Sequence, residues 1–344
     1  MLTDELDYVL GVDTHRDEHV VAVVTAPAGA VVAGTAAATN ARGYRELLRV
    51  ADRHAPGRRA WAIEGTGSYG VGFVRYLAAR GETVLELSRT PRGERRLRGK
   101  DDALDAARTA RAALASETLA LPRAGERREA LRLLLVARRS AVDVRREALS
   151  QLRAVIVTAP ETLREQLRRL PTGALLERCS RLRRTHSTAD ELATRLVLRS
   201  LARRIQAATV EADELEQEIL THVRALAPTL LDEAGVGPIV AAQLIVAWSH
   251  HGRLRSEACF ARLAGVAPLP ASSGQTQRHR LSRGGDRQLN RALHTIALHR
   301  RQHDPATRDY LARRIAEGKT KREATRLLKR YLARHLYRLP ERRK

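Results

Sequence analysis

Tyr8-Val9-Leu10-Gly11-Val12-Asp13 is an apolar run closed by a carboxylate, and it reads as a buried strand whose end presents an acid. Two more strands follow, His19 to Thr25 and a Gly/Ala/Val stretch around Val31-Val32, with Pro27, Ala28 and Gly29 as the turn between them. That pattern predicts a β-meander. A helical period covers 41–54, after which Ala60-Trp61-Ala62-Ile63 repeats the opening theme by ending on Glu64. A helix over 70–80 and a fifth strand at Thr83-Val84-Leu85-Glu86-Leu87 complete the segment. A meander followed by strands alternating with helices predicts a mixed sheet flanked by helices, an α/β arrangement.

Near residue 100 the strand signals stop, and an all-α region begins. Ala-, Leu- and Arg-rich stretches of helical period run through 101–120, 126–158 and 188–226. They predict a long antiparallel helical hairpin or coiled coil, bent at Pro160, Pro171-Thr172-Gly173 and Cys179-Ser180. Residues 230–300 form a third, Gly-rich region, and the chain closes on a basic helical pattern.

At 344 residues and 43% hydrophobic the chain can bury a substantial core in two or three domains. Its net charge of +23 attracts polyanions through counterion release, which makes nucleic acid the leading class of partner. The charge is lopsided: residues 1–110 carry 16 Lys and Arg against 15 Asp and Glu, whereas 251–344 carry 24 against 7. Only five of the basic residues are Lys, so a coding bias explains Arg over Lys but not the excess at one end. No run reaches the roughly 18 apolar residues of a membrane span, and the first twenty residues are acidic where a signal peptide is basic. A cytoplasmic protein, without membrane partners, is the expectation. Cys179 and Cys259 offer no disulfide framework or zinc site.

Asp13 and Glu64 each close an apolar strand, and Asp102 and Asp105 stand three apart at the start of a helix, on one face. Strand ends and a helix start are where a sheet presents side chains to a shared cleft. Convergent oxygen ligands suit Mg²⁺ or Mn²⁺, and two such ions about 4 Å apart can activate a nucleophile and stabilise the leaving oxygen in phosphodiester exchange. Taken singly, each acid is equally a turn former or a charge complementing a helix dipole; the combination is what points to metal. Asp101 points away from Asp102 on the helix and reads as a cap or a solvated charge.

Further on, Gly235-Val236-Gly237-Pro238 precedes an apolar helical stretch and looks like a helix-hairpin-helix turn, whose backbone amides would grip phosphate; a plain turn between helices is the alternative. Ala271-Ser272-Ser273-Gly274 then sits among Arg278, Arg280, Arg283 and Arg287. A serine there could attack a phosphodiester while the cations stabilise the developing charge, although Ser-Ser-Gly is also common in ordinary linkers. The arginines read as phosphate contacts rather than base readers.

Together these residues resemble the DEDD-type transposases of the insertion sequence 110 family. The resemblance rests on Gly11-Val12-Asp13-Thr14-His15, Ile63-Glu64-Gly65-Thr66-Gly67, and Asp102 with Asp105 in the N-terminal part. In the C-terminal part it rests on Gly235-Val236-Gly237-Pro238, Leu263-Ala264-Gly265-Val266-Ala267-Pro268, Ser272-Ser273-Gly274 and Arg283-Gly284-Gly285-Asp286-Arg287-Gln288. It implies a RuvC-like (RNase H-fold) catalytic domain over 1–120, a helical coiled-coil linker and oligomerisation region over 121–227, and a serine-bearing C-terminal transposase domain over 228–344. It also implies that metal at the four carboxylates assists a serine, Ser273 or the adjacent Ser272, that links covalently to DNA. A structured noncoding RNA of the element, a bridge RNA, would guide the choice of donor and target DNA, and the enzyme would act as a tetramer of two dimers. Two rivals keep the same residues: a junction-resolving nuclease without covalent intermediate, and a non-enzymatic architectural protein that merely binds nucleic acid.

Overall fold

The computed structural model describes residues 5–87, 102–116, 119–183, 188–270, 279–280 and 284–341. The chain divides into two compact units, one comprising residues 1–124 and 250–255, the other 125–249 and 256–344.

The first unit is built on a five-stranded mixed sheet. Its strands are β1 (Tyr8–Thr14), β2 (Glu18–Thr25), β3 (Val31–Ala38), β4 (Arg59–Glu64) and β5 (Val84–Leu87), in the order β3-β2-β1-β4-β5. The first three form an antiparallel meander, Gly11 facing Ala22 and Val21 facing Thr35, while β4 lies parallel to β1 and β5 parallel to β4. This order and these directions are consistent with an RNase H-like fold. Parallel neighbours need crossovers, and the chain supplies them as α1 (Ala41–His54) and α2 (Val71–Ala78). Asn40 starts α1 by accepting the amides of Arg42 and Gly43 at 3.0 Å each.

Side chains alternate across a strand, so the sheet has two apolar faces. On one, Leu10, Val12, Val21, Val23, Trp61 and Ile63 pack against Leu47 and Ala51 of α1 and Phe73 and Leu77 of α2. His19 is buried on that side with its ring stacked on Tyr44, and burial holds its pKa below the ordinary 6.5. On the other, Val9, Val24 and Ala62 meet Ala110, Ala113 and Leu114 of α3 (Asp102–Leu114). At the edge, Arg59 and the Trp61 indole both donate to Glu82, at 2.6 and 2.8 Å. The segment 250–255 contributes Arg253, whose buried guanidinium donates to the Leu121 carbonyl at 3.1 Å and pairs with Glu86 of β5 at 3.2 Å.

The second unit is helical. The helices α4 (Glu126–Val157) and α7 (Ala189–Leu226) pair antiparallel: Arg138 bonds Glu216 at 2.6 Å, and Leu152 and Ile156 share a core with Leu198, Leu201 and Ile205. Where a bend is expected between them, two short helices fold back, α5 (Glu161–Leu167) and α6 (Thr172–Ser180), adding Leu163, Leu167, Leu175 and Cys179 to that core. After α7 comes a single turn of 3-10 helix, Pro228–Leu230, then α8 (Pro238–Trp248) and α9 (Glu257–Leu263). A two-residue ladder of β6 (Leu269–Pro270) and β7 (His279–Arg280) precedes α10 (Arg287–His303), α11 (Pro305–Ala316) and α12 (Lys321–Glu341). Arg128 of α4 is buried and donates through two nitrogens to the Val246 carbonyl near the end of α8, at 3.2 Å each.

Candidate metal centre

Because β1 and β4 run parallel with Val12 beside Ile63, both strands leave the sheet at the same end, one carrying Asp13 and the other Glu64. Val12 and Ile63 point into the core beneath α1 and α2. Alternation therefore puts Asp13 and Glu64 on the opposite face, the one α3 covers. The Thr14 hydroxyl ties the two strand ends together by donating to the Glu64 carbonyl at 3.0 Å.

The approach of α3 depends on Gly11. A Cβ at that position would sit 2.0 Å from the Ala106 carbonyl oxygen and 2.6 Å from the Ala110 nitrogen, so only a residue without a side chain lets the helix backbone rest on the strand. The spacing then brings the acids together. Asp102 lies four residues before Ala106, about 6 Å along the helix, and Asp13 two residues after Gly11, about 6.6 Å along the strand. Since α3 runs antiparallel to β1, with Ala113 back beside Val9, the two steps go the same way.

Among the described residues, the group able to offer a metal three ligand atoms within 4.8 Å of one another is Asp13, His15 and Asp102. The His15 Nε2 stands 3.3 Å from the Asp13 Oδ2 and 3.6 Å from the Asp102 Oδ2. All three side chains are half-buried: Asp13 stands near the end of β1, His15 in the turn just after it and Asp102 at the start of α3. Glu64 and Asp105 stand outside this group, and Asp105 pairs with Arg108 one turn further along α3, at 2.8 Å. His15 has no assigned role in the sequence reading. Its signal is the alternation itself, since a residue two after Asp13 at a strand end returns to the same face.

Residues 10–159 match the family model of DEDD transposases of the IS110 type, described as Transposase, and residues 227–312 match the one described as Transposase IS116/IS110/IS902 family. The chain belongs to the IS110 family of transposases. An insertion element IS110 protein of 43.6 kDa from Streptomyces coelicolor, described as uncharacterized, is 36% identical over 132 residues. That stretch covers 38% of this chain and 33% of the relative, so the similarity spans a third of the relative's length.

The second family match contains the other site residues. Ser272, Ser273, Arg278 and Arg283 lie outside the described residues. The ladder that brackets the two serines is described, with Leu269 opposite Arg280 and Pro270 opposite His279. Arg287 opens α10 and is exposed, behind Asp286, which caps the helix by accepting the amides of Gln288 and Leu289 at 2.8 and 3.0 Å. Gly235 adopts a φ of 83° and faces the His299 ring of α10, while Gly237 is the N-cap of α8. The segment before this turn is a single 3-10 turn, because Pro228 cannot continue α7. Among the described residues no helix is long and apolar enough to cross a membrane.

Proposed function

We propose that this family member is the transposase of a bacterial mobile element, cutting and rejoining DNA through a serine–DNA intermediate with the help of divalent metal. The observation that carries the proposal is the meeting of Asp13 and Asp102 with a third donor at the open end of β1, on the sheet face that Glu64 shares. This donor set fits a divalent ion: carboxylate oxygens predominate, and Asp13 and Asp102 are held by a strand end and a helix, with His15 in the tight turn that follows the strand. Asp13 and Asp102 would hold the ion, Glu64 and Asp105 would complete its surroundings, and the bound Mg²⁺ or Mn²⁺ would offset charge that develops on phosphate oxygens.

Ser273, with Ser272 as the adjacent alternative, attacks phosphorus. The Oγ–P bond forms, the bond from phosphorus to one deoxyribose oxygen breaks, and that oxygen takes a proton and leaves as a free hydroxyl. The hydroxyl of a second DNA end then attacks the phosphoserine, restoring the phosphodiester and freeing the serine, so bond energy is conserved and no nucleotide cofactor is needed. Gly235 and Gly237 at the start of α8, with Arg278, Arg280, Arg283 and Arg287, serve as phosphate contacts. A structured RNA of the element selects donor and target DNA, a reading supported by the basic excess of residues 251–344. The enzyme works as a tetramer of two dimers joined through the coiled coil of α4 and α7. The exposed Leu133, Val136 and Val144 of α4, apolar residues in solvent on a long helix, support that part of the reading.

Adduct trapping tests the chemistry. The protein is incubated with Mn²⁺ and plasmid DNA carrying its own element, then denatured. A phosphoserine–DNA adduct that disappears in Ser273→Ala or Ser272→Ala is the expected result. An adduct that survives both substitutions refutes the nucleophile, and free nicked ends with no adduct identify a junction nuclease instead. Binding without metal-dependent cleavage, unchanged when the four acids are replaced, would make it an architectural protein.

A further inference from the structure

We infer that His15 is a nitrogen ligand of the ion held by Asp13 and Asp102, and that this mixed donor set makes the site prefer a first-row transition ion such as Mn²⁺ over Mg²⁺. The inference deepens the proposed function and rests on its metal site.

The geometry comes first. An ion about 2.1 Å from two ligands holds them about 3.0 Å apart at adjacent octahedral positions and about 3.4 Å apart at tetrahedral ones. The His15 Nε2 lies 3.3 Å from one carboxylate oxygen and 3.6 Å from another, within a few tenths of an ångström of those edges without any change of backbone. The backbone that carries the ring is fixed: the His15 amide donates to the Glu18 carbonyl at 3.1 Å, closing the tight β1–β2 turn two residues beyond Asp13.

Chemistry sets the consequence. Mg²⁺ is hard, keeps much of its water and takes oxygen ligands, whereas imidazole suits borderline ions. Replacing one oxygen by an imidazole nitrogen therefore costs Mg²⁺ more than Mn²⁺. A site of Asp13, Asp102 and His15 discriminates between the two ions in a way that four carboxylates do not.

The test measures binding, not turnover. Mn²⁺ and Mg²⁺ are titrated calorimetrically into the full-length protein and into His15→Ala, His15→Asp and Asp13→Asn, and pulsed electron paramagnetic resonance of bound Mn²⁺ reads directly coordinated nitrogen. The expected result is a nitrogen coupling in the wild type that both His15 variants lose. His15→Ala weakens Mn²⁺ about tenfold or more, and His15→Asp retains binding but narrows the preference for Mn²⁺ over Mg²⁺. Circular dichroism establishes that each variant is folded. If Mn²⁺ binds with no nitrogen coupling, or His15→Ala binds as tightly as the wild type or more tightly, His15 is not a ligand, although loss of binding in Asp13→Asn still upholds the metal site. If the wild type binds neither ion, the inference and the metal site both fail.

Discussion

Replacing Gly11 by Ala tests how the two acids are brought together, without touching either. The added Cβ would stand 2.0 Å from the Ala106 carbonyl oxygen, where a carbon–oxygen contact needs about 3.3 Å, so α3 must retreat by about 1.3 Å. Overpacking of this kind costs about 1–3 kcal/mol, and a radial gap near 1 Å forfeits up to about half of each dispersion contact it opens. Here the gap runs along Val9, Val24, Ala62, Ala110 and Ala113, so a loss of about 3 kcal/mol is expected for the first unit. The same retreat would widen the 3.6 Å from His15 to Asp102 to nearly 5 Å, beyond what one ion spans. Hydrogen exchange followed by mass spectrometry on α3 peptides reads the local loss in a protein of two units, whose thermal melt need not be two-state. Calorimetric titration of Mn²⁺ reads the site. Gly34→Ala is the control, because its Cβ would meet only the Val21 carbonyl at an ordinary 3.6 Å. If α3 in Gly11→Ala exchanges as slowly as in the wild type and the protein binds Mn²⁺ equally well, the packing of helix on strand is not what assembles the site.

Three other outcomes are expected. Hydrogen bonding from Arg59, with a second donor in Trp61, holds Glu82 below its ordinary 4.5, so the pair stabilises the first unit above that pH and the contribution disappears as pH falls through the lower, folded value; Glu82→Gln should flatten the acid limb of the stability curve, and an unchanged limb would contradict the assignment. Burial pushes the Cys179 thiol up to about 11, while Cys259 is exposed, so iodoacetamide at pH 8 should alkylate Cys259 in the folded protein and reach Cys179 only after denaturation, as peptide mapping would reveal. Arg287→Ala should weaken nucleic-acid binding about evenly across sequences and lower the slope of log affinity against log salt by about 1; a sequence-selective loss would mean that it reads bases.

The first unit was legible because its signals are local. Apolar runs of strand length, a Pro-containing turn and two helical periods suffice to place β1 to β5 in order. The acids at the ends of β1 and β4 follow from the same runs. Alternation alone puts His15 on the face of Asp13, but its nearness to Asp102 depends on how a helix far along the chain packs on that face, which no local pattern encodes. In the second unit, Pro160 and Pro171 read as breaks between long helices, yet each is the N-cap of a short one. The same ring that stops a helix is tolerated at its start, where the missing amide has no partner to lose, so proline marks a boundary without saying whether a helix ends or begins there.

Two helices of 32 and 38 residues lying antiparallel form a strut about 50 Å long. Its length is a variable that evolution can change only in particular increments. A single residue inserted into α4 alone would turn everything beyond it by about 100° and throw Leu152 and Ile156 out of step with Leu198 and Ile205. Seven residues added to both helices would instead extend the strut by about 10 Å and restore nearly the same faces. Relatives of different size can thus be expected to differ here by matched multiples of two turns, spacing whatever the hairpin carries without redesigning either end.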